Sequence, residues 1–167
     1  QEHYPGLPIG FDTDVNGAAL GEAYFGAAKG LDSALYLTIG TGIGGGAIVE
    51  GNLVHGLLHP EMGHMMLTVR EDDQYAGKCP YHGTCFEGLA AGPSLEARTG
   101  IRGELIDQHS EVWDVQAYYI AQAAVQATVL YRPEVIVFGG GVMGQEHMLR
   151  RVREKFTALL NGYLPVP

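Results

Sequence analysis

The chain has 167 residues, of which 46% are hydrophobic and 17% are charged, so it can build the core of one folded domain and is not mainly disordered. Acidic residues outnumber basic ones by 19 to 10, and the formal charge of −9 argues against general affinity for nucleic acid or an anionic membrane. Any phosphate group that the protein handles must therefore be bound locally and not by a basic surface.

Two cysteines, Cys79 and Cys85, are too few for a disulfide framework. The sequence has no apolar run of about 18 residues, and its first residues lack the basic start and apolar stretch of a secretory signal. We therefore expect a cytoplasmic protein. The chain has no initial Met and ends without an obvious closing element, which favours a piece of a longer protein.

The first predicted element is an alanine-rich helix over about 15–28, with Asp14 as its N-cap and Gly30 after its end. Residues 33–39 predict a strand, the glycine run 40–46 a tight turn, and 47–49 a second strand. A further turn at 50–52 completes an antiparallel meander.

The stretch 53–84 is irregular except for a short predicted strand at 65–69; it holds Cys79 and most of the histidines, and Cys85 follows it directly. We expect a site there. One short helix is predicted to start after Thr84 or Cys85, and another covers 93–98, with Pro93 in its first turn and Gly100 at its end.

The longest predicted helix covers 111–130, with Ser110 as its N-cap. Its apolar stripe consists of Val112, Val115, Tyr119, Ala123 and Val129 or Leu130. Residues 135–138 predict a buried strand, three glycines follow at 139–141, and a last helix covers about 145–160. A strand, a glycine turn and a helix in succession are typical of an α/β fold.

The most specific pattern is a C-x2-H-x2-C array formed by Cys79, His82 and Cys85, which His64 precedes by fifteen residues. Two thiolates and two imidazoles match the ligands of a closed tetrahedral zinc site, and the short spacing lets three of them come from one loop. Because four protein ligands leave no position for water, a zinc ion here would be structural. The alternative is that these side chains merely lie near each other.

Two glycine clusters are candidate nucleotide loops. In the first, 40–46, backbone N–H groups and the Thr41 hydroxyl can surround phosphate oxygens, although the segment lacks the Lys of a P-loop. A plain hairpin explains this cluster equally well. The second, 139–141, follows an apolar strand, where ligands commonly bind in open α/β sheets, and could receive an adenosine group.

Three carboxylates are candidates for chemistry or binding. Asp14 is a candidate general base, because a carboxylate at a helix N-terminus stays ionised in a fixed position. A simple N-cap role competes for the same residue, and Asp12 competes for either role. Glu61 and Glu87 flank the metal-binding array and could bind sugar hydroxyls, the alternative being ordinary solvated carboxylates.

Five segments in order resemble the ROK family of sugar kinases, and together they span essentially the whole chain. They are D-V-N-G-A-A-L-G-E at 14–22, G-T-G-I-G-G-G at 40–46, E-M-G-H at 61–64, the Cys/His array running into F-E-G at 86–88, and V-F-G-G-G at 137–141. Within the family, the C-x2-H-x2-C and E-M-G-H forms are most similar to those of bacterial fructokinases.

The resemblance implies an α/β lobe of the actin-like ATPase (ribonuclease H-like) fold, with an inserted zinc-binding loop at about 59–88. It also implies ATP and Mg²⁺ as cofactors, structural Zn²⁺, and phosphorylation of a hexose, most closely D-fructose to fructose 6-phosphate, by a homodimer that binds neither nucleic acid nor membrane. Family members begin with a D-x-G-G-T-K phosphate loop, to which nothing here matches. We therefore expect 1–167 to be mainly the C-terminal lobe of a two-lobe kinase, inactive alone.

By resemblance, Asp14 is the catalytic base, and the sugar-binding residues are Glu61, His64 and Glu87. The implied zinc ligands are His64, Cys79, His82 and Cys85. The implied nucleotide-binding residues are Thr41, Gly42, Gly44, Gly139, Gly140 and Gly141. The family commonly has a sugar-contacting Asn before the base, where this chain has Thr13, so that role is not transferred. A sugar-responsive repressor, a glucokinase or mannokinase of the family, and an inactive zinc-stabilised module remain the alternatives.

Overall fold

A computed structural model describes residues 3–165, so the outermost positions of the predicted 1–167 lobe lie outside the described part. The helices are α1 (Asp14–Phe25), α2 (Phe86–Ala90), α3 (Gly92–Thr99), α4 (Val112–Tyr131) and α5 (Met148–Leu160), and the strands are β1 (Ala34–Ile39), β2 (Ile43–Val49), β3 (Asn52–Leu53) and β4 (Val135–Gly139). Short 3₁₀ turns occur at Met62–His64 and Gly103–Leu105.

The four strands form one mixed sheet in the order β3-β2-β1-β4. The first three strands pair antiparallel, which confirms the predicted meander, and β4 pairs parallel to β1 with Leu37 opposite Phe138. The connection from β3 to β4 contains α2, α3 and α4. The mixed sheet and its helices confirm the predicted α/β class.

The first helix begins one residue earlier than predicted and has a different cap. The hydroxyl of Thr13 accepts a hydrogen bond from the backbone N–H of Asn16, while Asp14 occupies the first helical position. The N-cap role predicted for Asp14 is therefore wrong, because the Thr13 hydroxyl fills it. The helix ends at Phe25, with Gly26 as its C-cap, before the predicted stop at Gly30.

Most of the first glycine run is strand and not turn. Only residues 40–42 connect β1 to β2, and Gly44 to Gly46 pair with β1. On one face of β2, a Cβ at Gly44 would lie 2.9 Å from a methyl carbon of Val15, and one at Gly46 would lie 2.6 Å from the Val15 carbonyl oxygen. The glycines therefore let α1 lie directly on the sheet.

Several other boundaries differ from prediction. The strand predicted at 65–69 is reduced to a single bridge between Met66 and Cys85. The N-cap of the long helix is Glu111 and no side chain caps the helix, so the predicted Ser110 cap is wrong. Val129 and Leu130 are 49% and 68% exposed, because the buried face of α4 follows alanines together with larger residues such as Trp113.

The core lies between the sheet and the helices that connect β3 to β4. Leu35, Leu37 and Ile39 project from β1 into this core and belong to the same apolar cluster as Trp113 and Ile120 of α4. Strand β4 is only half-buried along its length, in contrast to the predicted buried strand, because it forms an edge of the described sheet. Within the described residues, no helix is long and apolar enough to cross a membrane.

Candidate functional site

The four predicted metal ligands lie together. His64, Cys79, His82 and Cys85 each offer one donor atom, and these atoms are all within 4.8 Å of one another. The Nδ1 atom of His64 is 3.7 Å from the sulfur of Cys79 and 3.5 Å from that of Cys85. A zinc ion with bonds of about 2.3 Å to sulfur and about 2.0–2.1 Å to nitrogen holds such atoms about 3.5 Å apart in a tetrahedron. The donor set and its spacing therefore fit zinc.

The two thiols have different surroundings. Hydrogen bonding from the backbone N–H of His82 holds the pKa of Cys79 below its usual value. Burial raises the pKa of Cys85, which is completely inaccessible to solvent. Burying Cys85 as a thiolate therefore requires a compensating positive charge, which a bound cation supplies.

The metal loop, defined as residues 64–85, is joined to the fold by an ion pair as well as by its candidate ligands. Arg98 of α3 pairs with Asp73 at 2.9 Å, and both side chains are about nine-tenths buried. The Tyr119 hydroxyl donates to the same carboxylate at 2.6 Å and accepts the backbone N–H of Arg70 at 3.2 Å. This network fixes the middle of the loop against α3 and α4.

The loop leads directly into Glu87. Helix α2 begins one residue after Cys85, and the backbone N–H of Phe86 bonds to the carbonyl of Met65 at 2.9 Å. Glu87 then points to the glycine turn, where its carboxylate accepts the N–H of Ile43 at 2.9 Å. A Cβ at Gly42 would lie 3.0 Å from the same carboxylate. The predicted sugar-binding Glu87 and the predicted phosphate turn are therefore in contact.

The 3₁₀ turn that carries His64 lies against the same strand. A side chain at Gly63 would collide with the carbonyl oxygen of Ile43, so only glycine permits this approach. Glu61, just before the turn, is exposed and bonds to His59 at 2.9 Å. The motif E-M-G-H thus reaches the beginning of β2, with Glu61 at its solvent side.

The structure distinguishes the two aspartates near α1. The carboxylate of Asp12 accepts bonds from Asn16 Nδ2 at 2.6 Å and from His55 Nε2 at 2.9 Å. Asp14 is exposed, and its carboxylate bonds only to the adjacent N–H of Val15, at 2.9 Å. Among the described contacts, Asp12 is therefore engaged internally, whereas Asp14 keeps lone pairs available for a ligand.

The two predicted nucleotide segments lie next to each other at the ends of β1 and β4. Gly140 has a φ of 86° and lies against the backbone of Ile39, a position that requires glycine, and the N–H of Val142 bonds to Ile39 at 3.1 Å. The N–H of Gly92, at the start of α3, bonds to the carbonyl of Gly40 at 2.7 Å. Glycine turns, strand ends and a helix start therefore meet here.

A cavity of about 360 Å³ opens between these turns and is lined in part by Thr41, Gly92, Trp113 and Gly141. A second, smaller cavity of about 210 Å³ is lined in part by Thr41, Cys79 and Glu87. Thr41 borders both, so the two spaces meet at the glycine turn. Of the other predicted nucleotide positions, Gly42 is exposed in the turn, Gly44 lies within β2 against Val15, and Gly139 ends β4.

Sequence reasoning did not identify three of the residues around these features. Trp113 lines the larger cavity, and no sequence motif marks this tryptophan as a binding residue. Asn16 stands inside the D-V-N segment, and its polarity in an alanine-rich helix was an available signal. His55 contacts Asp12 from 43 residues away in the chain, which no local pattern reveals.

Comparisons with known proteins agree with this fold and arrangement. The fold is of the kind found in sugar kinases of the actin-like ATPase fold. A model of the ROK family matches residues 2–167, and the chain belongs to that family. It is 64% identical over 164 residues to a fructokinase of Streptococcus mutans, covering 96% of this chain and 55% of the relative. It is 53% identical to a putative fructokinase of Bacillus subtilis, covering 97% and 57%.

Two solved structures show the same architecture. A ROK hexokinase from Thermus thermophilus superposes with a TM-score of 0.83 at 30% identity, covering 97% of this chain and 59% of the other. A ROK family glucokinase from Streptomyces griseus, in complex with glucose and AMPPNP, gives 0.75 at 27% identity, with coverage of 99% and 63%. The chain spans about half the length of the curated relatives it matches.

Proposed function

We propose that this chain is mainly the C-terminal lobe of a two-lobe sugar kinase that uses ATP and Mg²⁺ to phosphorylate a hexose, D-fructose, to fructose 6-phosphate. The observation that carries the proposal is convergence on the start of β2: Glu87 bonds to Ile43, the turn of His64 lies against Ile43, and Val15 beside Asp14 lies against Gly44. Relatives named fructokinase, at 44–64% identity, favour fructose.

Asp14 is the general base. Its exposed carboxylate accepts the proton of the attacking hexose hydroxyl as the new bond from that oxygen to the γ-phosphorus forms and the bond to the ADP oxygen breaks. It lies in the first turn of α1, at the end of the helix where the exposed backbone N–H groups are positive. Positioning and charge stabilisation supply most of the rate in such transfers.

The hexose is held by Glu61, His64 and Glu87. In the candidate metal cluster, His64 faces the sulfurs through Nδ1, which leaves Nε2 as a donor to a sugar hydroxyl. Glu87 has one oxygen on Ile43, so its other oxygen can accept from the sugar. Carboxylate and imidazole groups together provide the acceptors and the donor that hydroxyl pairs require.

The nucleotide lies along Thr41, Gly42 and Gly44 on one side and Gly139, Gly140 and Gly141 on the other. The net negative charge of the chain offers no basic surface to phosphate, so backbone N–H groups of the glycine turns and Mg²⁺ provide the stabilisation. The cavity of about 360 Å³ beside Trp113 has room for the adenosine part. Gly44 contributes through its backbone only, because Val15 covers its face.

A zinc ion held by His64, Cys79, His82 and Cys85 supplies structural cross-linking of the metal loop. With these four residues as ligands, the ion would have no position left for water or substrate and would serve structure alone. By joining His64 to Cys85, the ion would fix the orientation of His64 and the start of α2, which carries Glu87. We further propose that the complete protein is a homodimer and binds neither nucleic acid nor membrane.

The test is ATP consumption by the complete two-lobe protein with fructose, glucose, mannose and N-acetylated sugars. We expect fructose to give the highest kcat/KM, with fructose 6-phosphate as the product in mass spectrometry. A preference for glucose or mannose would reassign the substrate within the family. Absence of sugar-dependent ATP consumption, together with sugar-dependent DNA binding, would replace the kinase with a sugar-responsive repressor.

A further inference from the structure

A cluster of three polar side chains surrounds the start of α1, separate from the metal loop. Asp12 precedes the helix, Asn16 lies in its first turn, and His55 follows β3. The Oδ1 atom of Asp12 accepts from Asn16 Nδ2 at 2.6 Å and from the backbone N–H of Thr13 at 2.8 Å, while Oδ2 bonds to His55 Nε2 at 2.9 Å. Both carboxylate oxygens are thus bonded.

The cluster is anchored in the core at one end. Asn16 is completely buried, and a side chain at Gly46 would lie 2.9 Å from its amide oxygen. At the other end, His55 is attached to the sheet, because the N–H of the preceding Val54 bonds to Ala47 of β2 at 2.9 Å. Asp12 therefore joins the chain entering α1 to strand β2 and to the loop after β3.

The bonding pattern also orients the partners. The negative charge of Asp12 turns the amide nitrogen of Asn16, and not its oxygen, toward the carboxylate. It also favours the tautomer of His55 that carries a proton on Nε2. Two hydrogen bonds, the stronger from Asn16 and the other from the Thr13 N–H, hold the pKa of Asp12 below its usual value. The carboxylate therefore remains charged at neutral pH.

Asp14 lies two residues beyond Asp12, and its side chain has no partner beyond the neighbouring Val15 N–H among the described contacts. Its direction is therefore set by the backbone at the beginning of α1. We propose that Asp12, held by Asn16 and His55, is a positioning residue that fixes this backbone so that Asp14 faces the acceptor hydroxyl. The proposal rests on the proposed kinase function and assigns Asp12 a role other than that of base.

The test compares kcat and KM of the complete protein with Asp12→Ala, Asp12→Asn, His55→Ala, His55→Gln and Asp14→Asn. Displacing a catalytic group by about 1 Å costs on the order of 10²-fold in rate, so we expect Asp12→Ala to lower kcat about 10- to 100-fold with both KM values within about threefold. Asp12→Asn still accepts from Asn16 and Thr13, and should keep at least about a tenth of kcat. Asp72→Ala is the control, since Asp72 is also an exposed, hydrogen-bonded carboxylate with a lowered pKa.

The His55 pair tests the same idea at a surface position where folding is not at risk. Gln places an N–H near the position of Nε2, so His55→Gln should retain about half or more of kcat, while His55→Ala loses several-fold. Asp14→Asn should also abolish the acidic limb of the kcat profile, which Asp12→Asn should retain. An Asp12→Asn variant as inactive as Asp14→Asn and lacking that limb, or an Asp12→Ala variant with unchanged kcat, would overturn the proposal.

A readout that does not need turnover separates this proposal from the function itself. Amide hydrogen exchange in residues 13–18 should become faster in Asp12→Ala and His55→Ala, and return to the parental rate in His55→Gln. If the parent protein phosphorylates no sugar, the kinase function fails while this exchange result still reports on the cluster. Unchanged exchange in both alanine variants would contradict the positioning role.

Discussion

The carboxylate of Glu87 accepts the backbone N–H of Ile43 at 2.9 Å. Glu87 stands two residues after the candidate metal ligand Cys85, and Ile43 is the first residue of β2 after the glycine turn. This one bond therefore connects α2, which directly follows the metal loop, to the predicted phosphate turn. The proposed hexose and nucleotide contacts would therefore depend on the same carboxylate.

The first prediction concerns this bond. Glu87→Gln retains an acceptor for Ile43 but loses the charge, whereas Glu87→Ala leaves the N–H without its partner, at a cost of about 1–3 kcal/mol if water does not replace it. We expect Glu87→Ala to raise KM for both fructose and ATP, and Glu87→Gln to raise mainly that for fructose. Steady-state kinetics of the complete protein measure this, with exposed Glu71→Gln as the control. Equal effects of Gln and Ala on KM for ATP would show that the Ile43 bond has no role in nucleotide binding.

The second prediction concerns the metal. Elemental analysis should find about one zinc per chain, and Cys85→Ser or His82→Ala should lose it together with part of the thermal stability, since a structural zinc contributes to folding. His59→Ala is a suitable control, because His59 is on a neighbouring segment and bonds to Glu61 instead of the cluster. Stoichiometric zinc in the His82 variant, or none in active parent protein, would refute the ligand assignment.

The third prediction concerns the approach of the His64 turn to β2. Gly63→Ala places a methyl group against the carbonyl of Ile43, so the turn must move. We expect weaker zinc retention and at least about tenfold weaker hexose binding by calorimetry. Gly17→Ala in α1 has no neighbour within 4 Å of the added carbon and should stabilise the protein by up to about 1 kcal/mol. Parental hexose affinity in the Gly63 variant would contradict the close approach.

The fourth prediction concerns Tyr119. Burial, followed by its bond to Asp73, raises the pKa of Tyr119 to about 12, so the folded protein favours the neutral phenol. The associated stability is complete below a pH of about 10, the ordinary tyrosine value, and is lost as pH rises toward 12. Tyr119→Phe should lower the free energy of unfolding by about 1–2 kcal/mol at pH 8. Between pH 8 and pH 11 the variant should then lose less of this free energy than the parent protein does.

Urea unfolding at the two pH values measures this, and Tyr81→Phe, at a ring that is 84% exposed, is the control. If the free energy of unfolding fell equally in the parent and in the Tyr119 variant between pH 8 and pH 11, the ionisation of the phenol would not be coupled to folding.

Local signals predicted the elements well where a motif or a periodic pattern existed. The meander, the two short helices after the metal loop with Pro93 and Gly100, and the gathering of four Cys and His residues all follow from short-range sequence features. The glycines of β2 misled the prediction, since glycine ordinarily indicates a turn. Their reason is tertiary: α1 and Met62 lie too close to β2 for side chains at Gly44, Gly45 and Gly46.

The parts of the site that could not be predicted are contacts between distant segments. Composition and local pattern do not say how Asp12 and Asp14 differ in surroundings. The structure does, because Asp12 accepts bonds from Asn16 and from His55, 43 residues away, whereas Asp14 does not. The Glu87 bond to Ile43 spans 44 residues and likewise leaves no local trace. The pairing of Arg98 with Asp73 could not be predicted either, because charged side chains are normally expected on the surface and these two are buried.

The most direct test of the central claim, that Asp14 is the base of a hexose kinase, is a single comparison of the complete protein with its Asp14→Asn variant. Fructose-dependent ADP release and fructose binding are measured on the same samples. The account predicts that the variant loses at least about 10²-fold in kcat, the range for a general base, while its Kd for fructose changes less than about threefold. Near-parental turnover in the variant would contradict the account.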